Sequence, residues 1–230
     1  MFNEKMKRIL FSLGCTPFLI TSFGAPAASL IATSAAIHFS SDVETIATDE
    51  VTEVVDQKEF HELVKPLADL ISKGEGDYNA VNRGWAGDTP GGIKRLTGSS
   101  FAGFTVRQVM GMQNRWIYAV GRYQFIPKTL RYAVAMNPDV SLDDKFTPEV
   151  QDRLFATLIE HKRPAVGAYI RGEHTNLGWA LDELAREWAS VEYRYGRGYY
   201  DHIGGNRAHI SRHSAAEALN TVRTNYTSEA

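Results

Sequence analysis

The sequence predicts an α+β domain that is mostly helical, with a small irregular or β lobe inserted early. Three observations lead there. Apolar residues recur at helical spacing from Phe60 to Ile71, from Val150 to Ile159 and from Leu177 to Val191. Residues 76–103 are rich in Gly, Asn, Asp, Pro and Ser and carry no helical period, as expected of turns with a short hairpin. No repeat of roughly 20 to 50 residues recurs, which excludes solenoids.

Residues 1–36 stand apart from this domain. Lys5, Lys7 and Arg8 precede an apolar stretch from Ile9 to Ile20, followed by small residues through Ala36. The pattern is that of an export signal or an N-terminal membrane segment, and Ala25-Pro26-Ala27 offers a cleavage site. Pro17 and the scattered glycines and serines weaken a spanning helix, which would want roughly 20 predominantly apolar residues. The expected location is therefore periplasmic or extracellular. Cys15 is the only cysteine and falls in the leader, so no disulfide or thiol chemistry is expected of the mature domain. Residues 37–58, with Asp42, Glu44, Asp49, Glu50 and Glu53, read as an acidic flexible linker. The formal charge of −2 becomes more negative once the basic leader is removed, which argues against nucleic acid as a partner.

The helices follow in order. Phe60, Leu63, Val64, Leu67, Leu70 and Ile71 form one apolar stripe, with Pro66 bending the helix or marking its true first turn. Thr105-Val106-Arg107-Gln108 has the arrangement of a capping box and starts a helix over 105–114. Pro127 suits the first position of another, running to about Met136. Thr147-Pro148-Glu149 caps a third, which Pro164 interrupts before a short helix at 165–170. Leu177 to Val191 forms the last strong helix, and residues 214–230 read as a frayed polar C-terminal tail with room for some helix.

Glu75 stands between Gly74 and Gly76 at the end of the first apolar helix. Acid-catalysed glycoside cleavage needs a carboxyl group that stays protonated near neutral pH, and burial at the edge of a core supplies that shift. The two glycines would leave room for a sugar to approach. Position alone decides little, because a solvated helix-end glutamate is the more ordinary reading.

Three segments add a resemblance. Gly121-Arg122-Tyr123-Gln124-Phe125 resembles the Gly-Arg-Tyr-Gln stretch of the lambda-endolysin type of lytic transglycosylase and related lysozyme-like proteins. Gly74-Glu75-Gly76 resembles that group's catalytic Ser-Glu-Gly segment. Glu187-Trp188-Ala189-Ser190 resembles its Trp-Ala-Ser turn, followed here by Gly196-Arg197-Gly198-Tyr199-Tyr200. The segments fall in the expected order and cover most of residues 60–205. Lys73-Gly74 replaces the usual aromatic-Ser pair, and the insertion at 77–120 departs from lambda endolysin.

The resemblance implies a lysozyme-like catalytic domain over residues 59–213, acting on the β-1,4 bond between N-acetylmuramic acid and N-acetylglucosamine with Glu75 as general acid and base. In a lytic transglycosylase the sugar's own 6-hydroxyl closes on the anomeric carbon, so one carboxyl group serves both proton transfers. A hydrolytic muramidase needs a second carboxylate, about 5 Å away for retention or roughly 6.5 to 9.5 Å for inversion. Asp77 and Asp88 are the candidates, although both also read as turn residues. The implied substrate contacts are Gln124, through its amide to an N-acetyl carbonyl, and Tyr123, packing on a sugar or orienting Glu75. Tyr78, Trp188 and Tyr199 are further contacts. Tyr123 and Phe125 as core residues remain the other reading, with Arg122 tying the lobe to the domain.

His202, His209 and His213 lack a Cys or His-Glu-x-x-His context and read as a solvated face, so no metal or cofactor is expected. The expected partners are peptidoglycan glycan strands, with cell-envelope machinery as a further candidate. A non-catalytic glycan-binding or scaffold protein with the same fold is the competing class.

Overall fold

The computed structural model describes residues 57–203 and 205–229. The expected export signal and most of the expected linker lie outside these described residues.

The first apolar stripe forms two helices, α1 (Gln57–Leu63) and α2 (Lys65–Glu75), with Pro66 in the first turn of α2. The proline thus marks a helix start, where its missing N–H costs nothing. Phe60, Val64, Leu67 and Ile71 are all buried at 2% exposure or less, so the stripe faces the core.

The lobe predicted as turns follows α2. Its one regular pairing is long-range: β1 (Val81–Asn82) runs antiparallel to β2 (Ala119–Val120), with Val81 opposite Val120. Between them lie α3 (Gly92–Thr97) and α4 (Val106–Gln113). Helix α3 is not foreseen from the sequence, because six residues between Gly91 and Gly98 are too few to show a helical period. The Thr105 capping box is present in both directions, with Gln108 N–H donating to Thr105 Oγ1 and Thr105 N–H donating to Gln108 Oε1 at 2.8 Å.

The helical body continues with α5 (Pro127–Met136) and α6 (Pro148–Thr157), the latter capped by Thr147 as predicted. A π-helical turn at Leu158–Lys162 leads into α7 (Pro164–Ile170). Helix α8 (Leu177–Glu187) is capped by Asn176 and ends four residues earlier than the sequence suggests. Trp188 leaves the helical conformation, and its indole packs on Phe155 with ring centroids 5.1 Å apart. A small hairpin, β3 (Glu192–Arg194) and β4 (Arg197–Gly198), follows.

The expected polar tail at 214–230 is not frayed but forms one packed helix, α9 (Arg212–Glu229). Ala215, Leu219 and Val222 lie fully buried along one narrow stripe. Tyr226 meets Phe60 edge to face, and α9 lies against α2. The stripe consists of three small or medium side chains among polar neighbours, so its apolar signal was too weak to read without α2 beside it. Among the described residues no helix is long and apolar enough to cross a membrane.

Leu219→Ala should cost about 2–5 kcal/mol of stability, the range for truncating a buried leucine. A dispensable tail would show no change in the urea midpoint.

Candidate active site

Glu75 is the last residue of α2 and is partly buried. Its Oε1 accepts hydrogen bonds from Ser190 Oγ at 2.6 Å and from Ser190 N–H at 3.3 Å. Oε2 makes no hydrogen bond among the described residues. Burial pushes the Glu75 carboxyl above its ordinary value, and the negative charge of Asp88 adds to this; the two Ser190 hydrogen bonds and His209 oppose it. The net direction is upward, as a proton donor near neutral pH requires.

Gly74 has a different task from the one expected of it. A Cβ at this position would stand 2.4 Å from Ser190 Cβ and 2.7 Å from Ser190 Oγ. The missing side chain admits Ser190 to the end of α2; it does not make room for a sugar. Ser190 itself is 4% exposed, and its carbonyl is held by the N–H groups of His209 and Ile210.

Glu75 opens onto a cleft of about 470 Å³. Gly76, Asp77 and Asn79 line one part of it, Asp88, Thr89 and Lys94 another, and Gln124 a third. Gln124 arrives there on the tight turn that follows β2. Phe125 N–H returns to Val120 O at 2.9 Å, and Gly121 N–H donates to Ala80 O just beyond Glu75. Gly121 sits at φ +75, and a Cβ there would come within 2.3 Å of Gln151 Oε1, so the turn needs glycine at that position. Gln124 is itself at φ +47, a conformation rare for non-glycine residues and concentrated at functional sites.

The predicted site residues therefore divide. Glu75, Gln124, Asp77 and Asp88 share the cleft. Asp77 Oδ1 accepts from Asn79 N–H at 2.7 Å, an Asx turn, and Asp88 Oδ1 accepts from Asn82 Nδ2 at 2.8 Å. Tyr123 is a core residue: it is 2% exposed, stacks on Phe155, and donates its hydroxyl to Asp152. Burial and Asp152 push its phenol well above the ordinary range; with its ring in the core and its hydroxyl on Asp152, it serves neither a sugar nor Glu75. Tyr78 also donates to Asp152, at 2.8 Å, and is pushed up to about 12 by burial and by that carboxylate. It belongs to a brace around Arg122, whose Nη1 reaches Tyr78 Oη at 3.0 Å and whose Nη2 reaches Asp69 at 2.5 Å. This is the tie between lobe and body expected of Arg122. Trp188 is 3% exposed and donates its indole N–H to Tyr123 O, which makes it a core strut. Tyr199 packs edge to face on Tyr193 and Tyr200 by the β3–β4 hairpin and does not line the Glu75 cleft.

No known protein family, characterised protein or solved structure matches the chain. The site's chemistry accordingly rests on its own geometry.

Several functional candidates were missed. Ser190 ends the Trp188-Ala189-Ser190 turn, and its signal is the glycine facing it at position 74. His209, expected on a solvated face, lies just before α9 and stands within electrostatic reach of Glu75. Trp85 is 93% exposed on the loop between Val81 and Asp88, both of which line the cleft. No pattern in the sequence distinguished it. Among the described residues no group of three or more His, Cys, Asp or Glu side chains is arranged to hold a metal.

Ser190→Ala removes a hydrogen bond that favours the ionised form, so the Glu75 pKa should rise further. The alkaline limb of a pH–activity profile should move to higher pH; an unmoved limb would show that the hydroxyl does not tune the acid. Glu75→Gln should stabilise the fold at neutral pH. Below pH 4.5, the ordinary value, both states of the wild type are protonated and the two proteins should melt alike. Above it the unfolded chain ionises before the folded one, so wild-type stability falls as pH rises and the variant's advantage grows. Paired thermal melts at pH 4 and pH 7 test this.

Proposed function

We propose that this protein is a peptidoglycan-cleaving enzyme with a lysozyme-like fold, acting as a lytic transglycosylase on the bond between N-acetylmuramic acid and N-acetylglucosamine. The observation that carries this reading is Glu75: a carboxyl group raised in pKa by burial, held through one oxygen by Ser190, with the other unbonded, on the wall of an open cleft. The three-segment resemblance supports the same reading, since Glu75, Gln124 and Ser190 each come from one of those segments.

In this reading protonated Glu75 donates to the glycosidic oxygen as the bond from the anomeric carbon breaks. Positive charge develops on the sugar ring, and the carboxylate just formed lies beside it. The 6-hydroxyl of the same sugar then closes on the anomeric carbon and returns its proton to Glu75. The acid is regenerated and no water is consumed. Ser190 holds the carboxyl group in one orientation for both transfers. Gln124 Nε2 donates one N–H to Gly121 O at 2.9 Å and keeps the other for an N-acetyl carbonyl, and Lys94 in the cleft lining suits carboxylates of the substrate.

Asp88 favours a second reading. It lines the same cleft and acts electrostatically on Glu75, so it can serve as the second carboxylate of a hydrolytic muramidase. Export to the periplasm or cell surface, with glycan strands or envelope machinery as partners, belongs to either reading.

Glu75→Gln should lower release of soluble fragments from purified sacculi by at least about 100-fold, the scale of losing general acid–base catalysis, while leaving sacculus binding intact. Mass spectrometry of the released fragments separates the mechanisms: 1,6-anhydro ends mean transglycosylation and reducing ends mean hydrolysis. Wild-type protein that releases nothing would leave the competing class, a glycan-binding or scaffold protein.

A further inference from the structure

A second cleft, of about 640 Å³, lies between the start of α8 and the β3–β4 hairpin, and no residue lines both it and the Glu75 cleft. Its floor is Asp182, whose side chain is 8% exposed. Arg194 bonds this carboxylate through Nη2, and Arg212 Nη1 approaches Oδ1 at 2.9 Å. Burial opposes the charge on Asp182, but the two guanidinium groups hold its carboxyl below the ordinary value, so it is ionised. The residues that line the cleft, two arginines and one aspartate, carry a net positive charge; the Glu192 carboxylate, outside the lining, is held by the N–H groups of Gly196 and Arg212.

The donors in this cleft are only partly used. Arg212 also donates to Gly178 O and Tyr193 O. Arg194 Nη1 and Asn176 Nδ2 make no hydrogen bond among the described residues, and the Arg194 side chain is 53% exposed. Both residues line the cleft, so each brings an unused donor group to it.

Two aromatic rings stand over this floor. Trp179 stacks one face of its indole on His174, at 5.3 Å between centroids, yet remains 51% exposed. Tyr195 is 97% exposed at the tip of the hairpin and sits at φ +57, with Gly196 after it at φ +72. A two-residue turn of this kind ordinarily takes Asn-Gly, because a residue with a bulky side chain is strained in the left-handed region. Here the strain is borne by a tyrosine whose ring packs against almost nothing. Neither folding nor turn geometry accounts for a tyrosine there, whereas a ligand that covers the ring would.

We propose that this cleft is a second glycan-binding site, which seats a sugar between Trp179 and Tyr195 and bonds acyl or carboxylate oxygens of the strand through Arg194 and Asn176. Aromatic faces stack on the apolar faces of pyranose rings, and the positive floor suits a glycan that carries N-acyl groups and carboxylates. The identity of the polymer as peptidoglycan rests on the reading proposed above; the site itself does not require Glu75 to turn over. A remote anchor of this kind raises the effective concentration of an insoluble strand at the catalytic cleft, but contributes nothing to a fragment too short to span both.

The test uses Trp179→Ala and Tyr195→Asn, each in the active protein and in the Glu75→Gln background. Asparagine suits the left-handed turn, so Tyr195→Asn keeps the fold even where Trp179→Ala disturbs the packing on His174. In the Glu75→Gln background, co-sedimentation with purified sacculi should show about tenfold weaker binding for each variant, the usual scale for removing an aromatic anchor. In the active protein, release from sacculi should fall while cleavage of a soluble MurNAc-GlcNAc tetrasaccharide stays unchanged. Unchanged sacculus binding in Tyr195→Asn, or an equal loss on the tetrasaccharide, overturns the proposal. If the wild type cleaves nothing but the binding losses persist, the second site stands and the catalytic reading fails. If cleavage is seen and binding is unaffected, the reverse holds.

Discussion

The carboxamide of Gln151 lies fully buried on α6 and bonds three separate stretches of chain. Its Oε1 accepts from Arg122 N–H at 2.9 Å, and its Nε2 donates to Tyr78 O at 3.0 Å and to Phe146 O. The first two stretches carry the walls of the candidate cleft, since Tyr78 lies three residues beyond Glu75 and Arg122 two before Gln124. A buried amide left without partners costs about 1–3 kcal/mol, so the arrangement is favourable only when both walls are in register. Gln113 on α4 acts in the same way from the other side, donating to Tyr118 O and Phe125 O. The cleft is thus positioned by amides that bond backbone, which specify position more tightly than apolar packing does.

Around this pair lies a layer of charge. Arg122 gathers Asp69, Tyr78, Tyr123 and, at 3.8 Å, Asp152. A comparable cluster sits at the end of α8, where Glu187, 5% exposed at its side chain, receives Lys162 Nζ at 2.5 Å and Arg163 Nε at 2.7 Å. The π-helical turn before α7 carries Lys162, and Arg163 follows it directly. These bonds anchor α8 where Trp188 departs from it, and Ser190 is carried to Glu75 as a result. Removing one partner of such a buried pair leaves an uncompensated charge, so the clusters favour one geometry over others more than they add net stability.

Glu75 shows the opposite balance. Its burial is unfavourable to the charged form, and the Ser190 bonds offset this only in part. The fold tolerates a destabilised carboxyl group because the Gln151 and Arg122 bonds hold the walls around it in place, a pattern common where a group is kept for chemistry. Gly74 belongs to the same compromise, giving up a side chain so that the serine can reach the acid.

Amphipathic helices and their caps were legible in the sequence because they depend on neighbours a few residues away. The stripe from Phe60 to Ile71, the capping box at Thr105, the proline starts of α5 and α6 and the position of Glu75 at a helix end all follow from local spacing and backbone chemistry. Gln124 at the cleft was legible only through resemblance. The rest needed contacts across long stretches of chain. Tyr123 and Trp188 present the same side chains whether they stack on a sugar or on Phe155, and only the packed core decides between them. Helix α9 has too thin an apolar stripe to declare itself without α2 opposite. Ser190 lies 115 residues from Glu75, and no periodicity links them. Local chemistry determined which segments are helical and which carboxyl group terminates one; tertiary packing decided which polar side chains meet it, because burial and hydrogen-bond partners belong to the assembled fold alone.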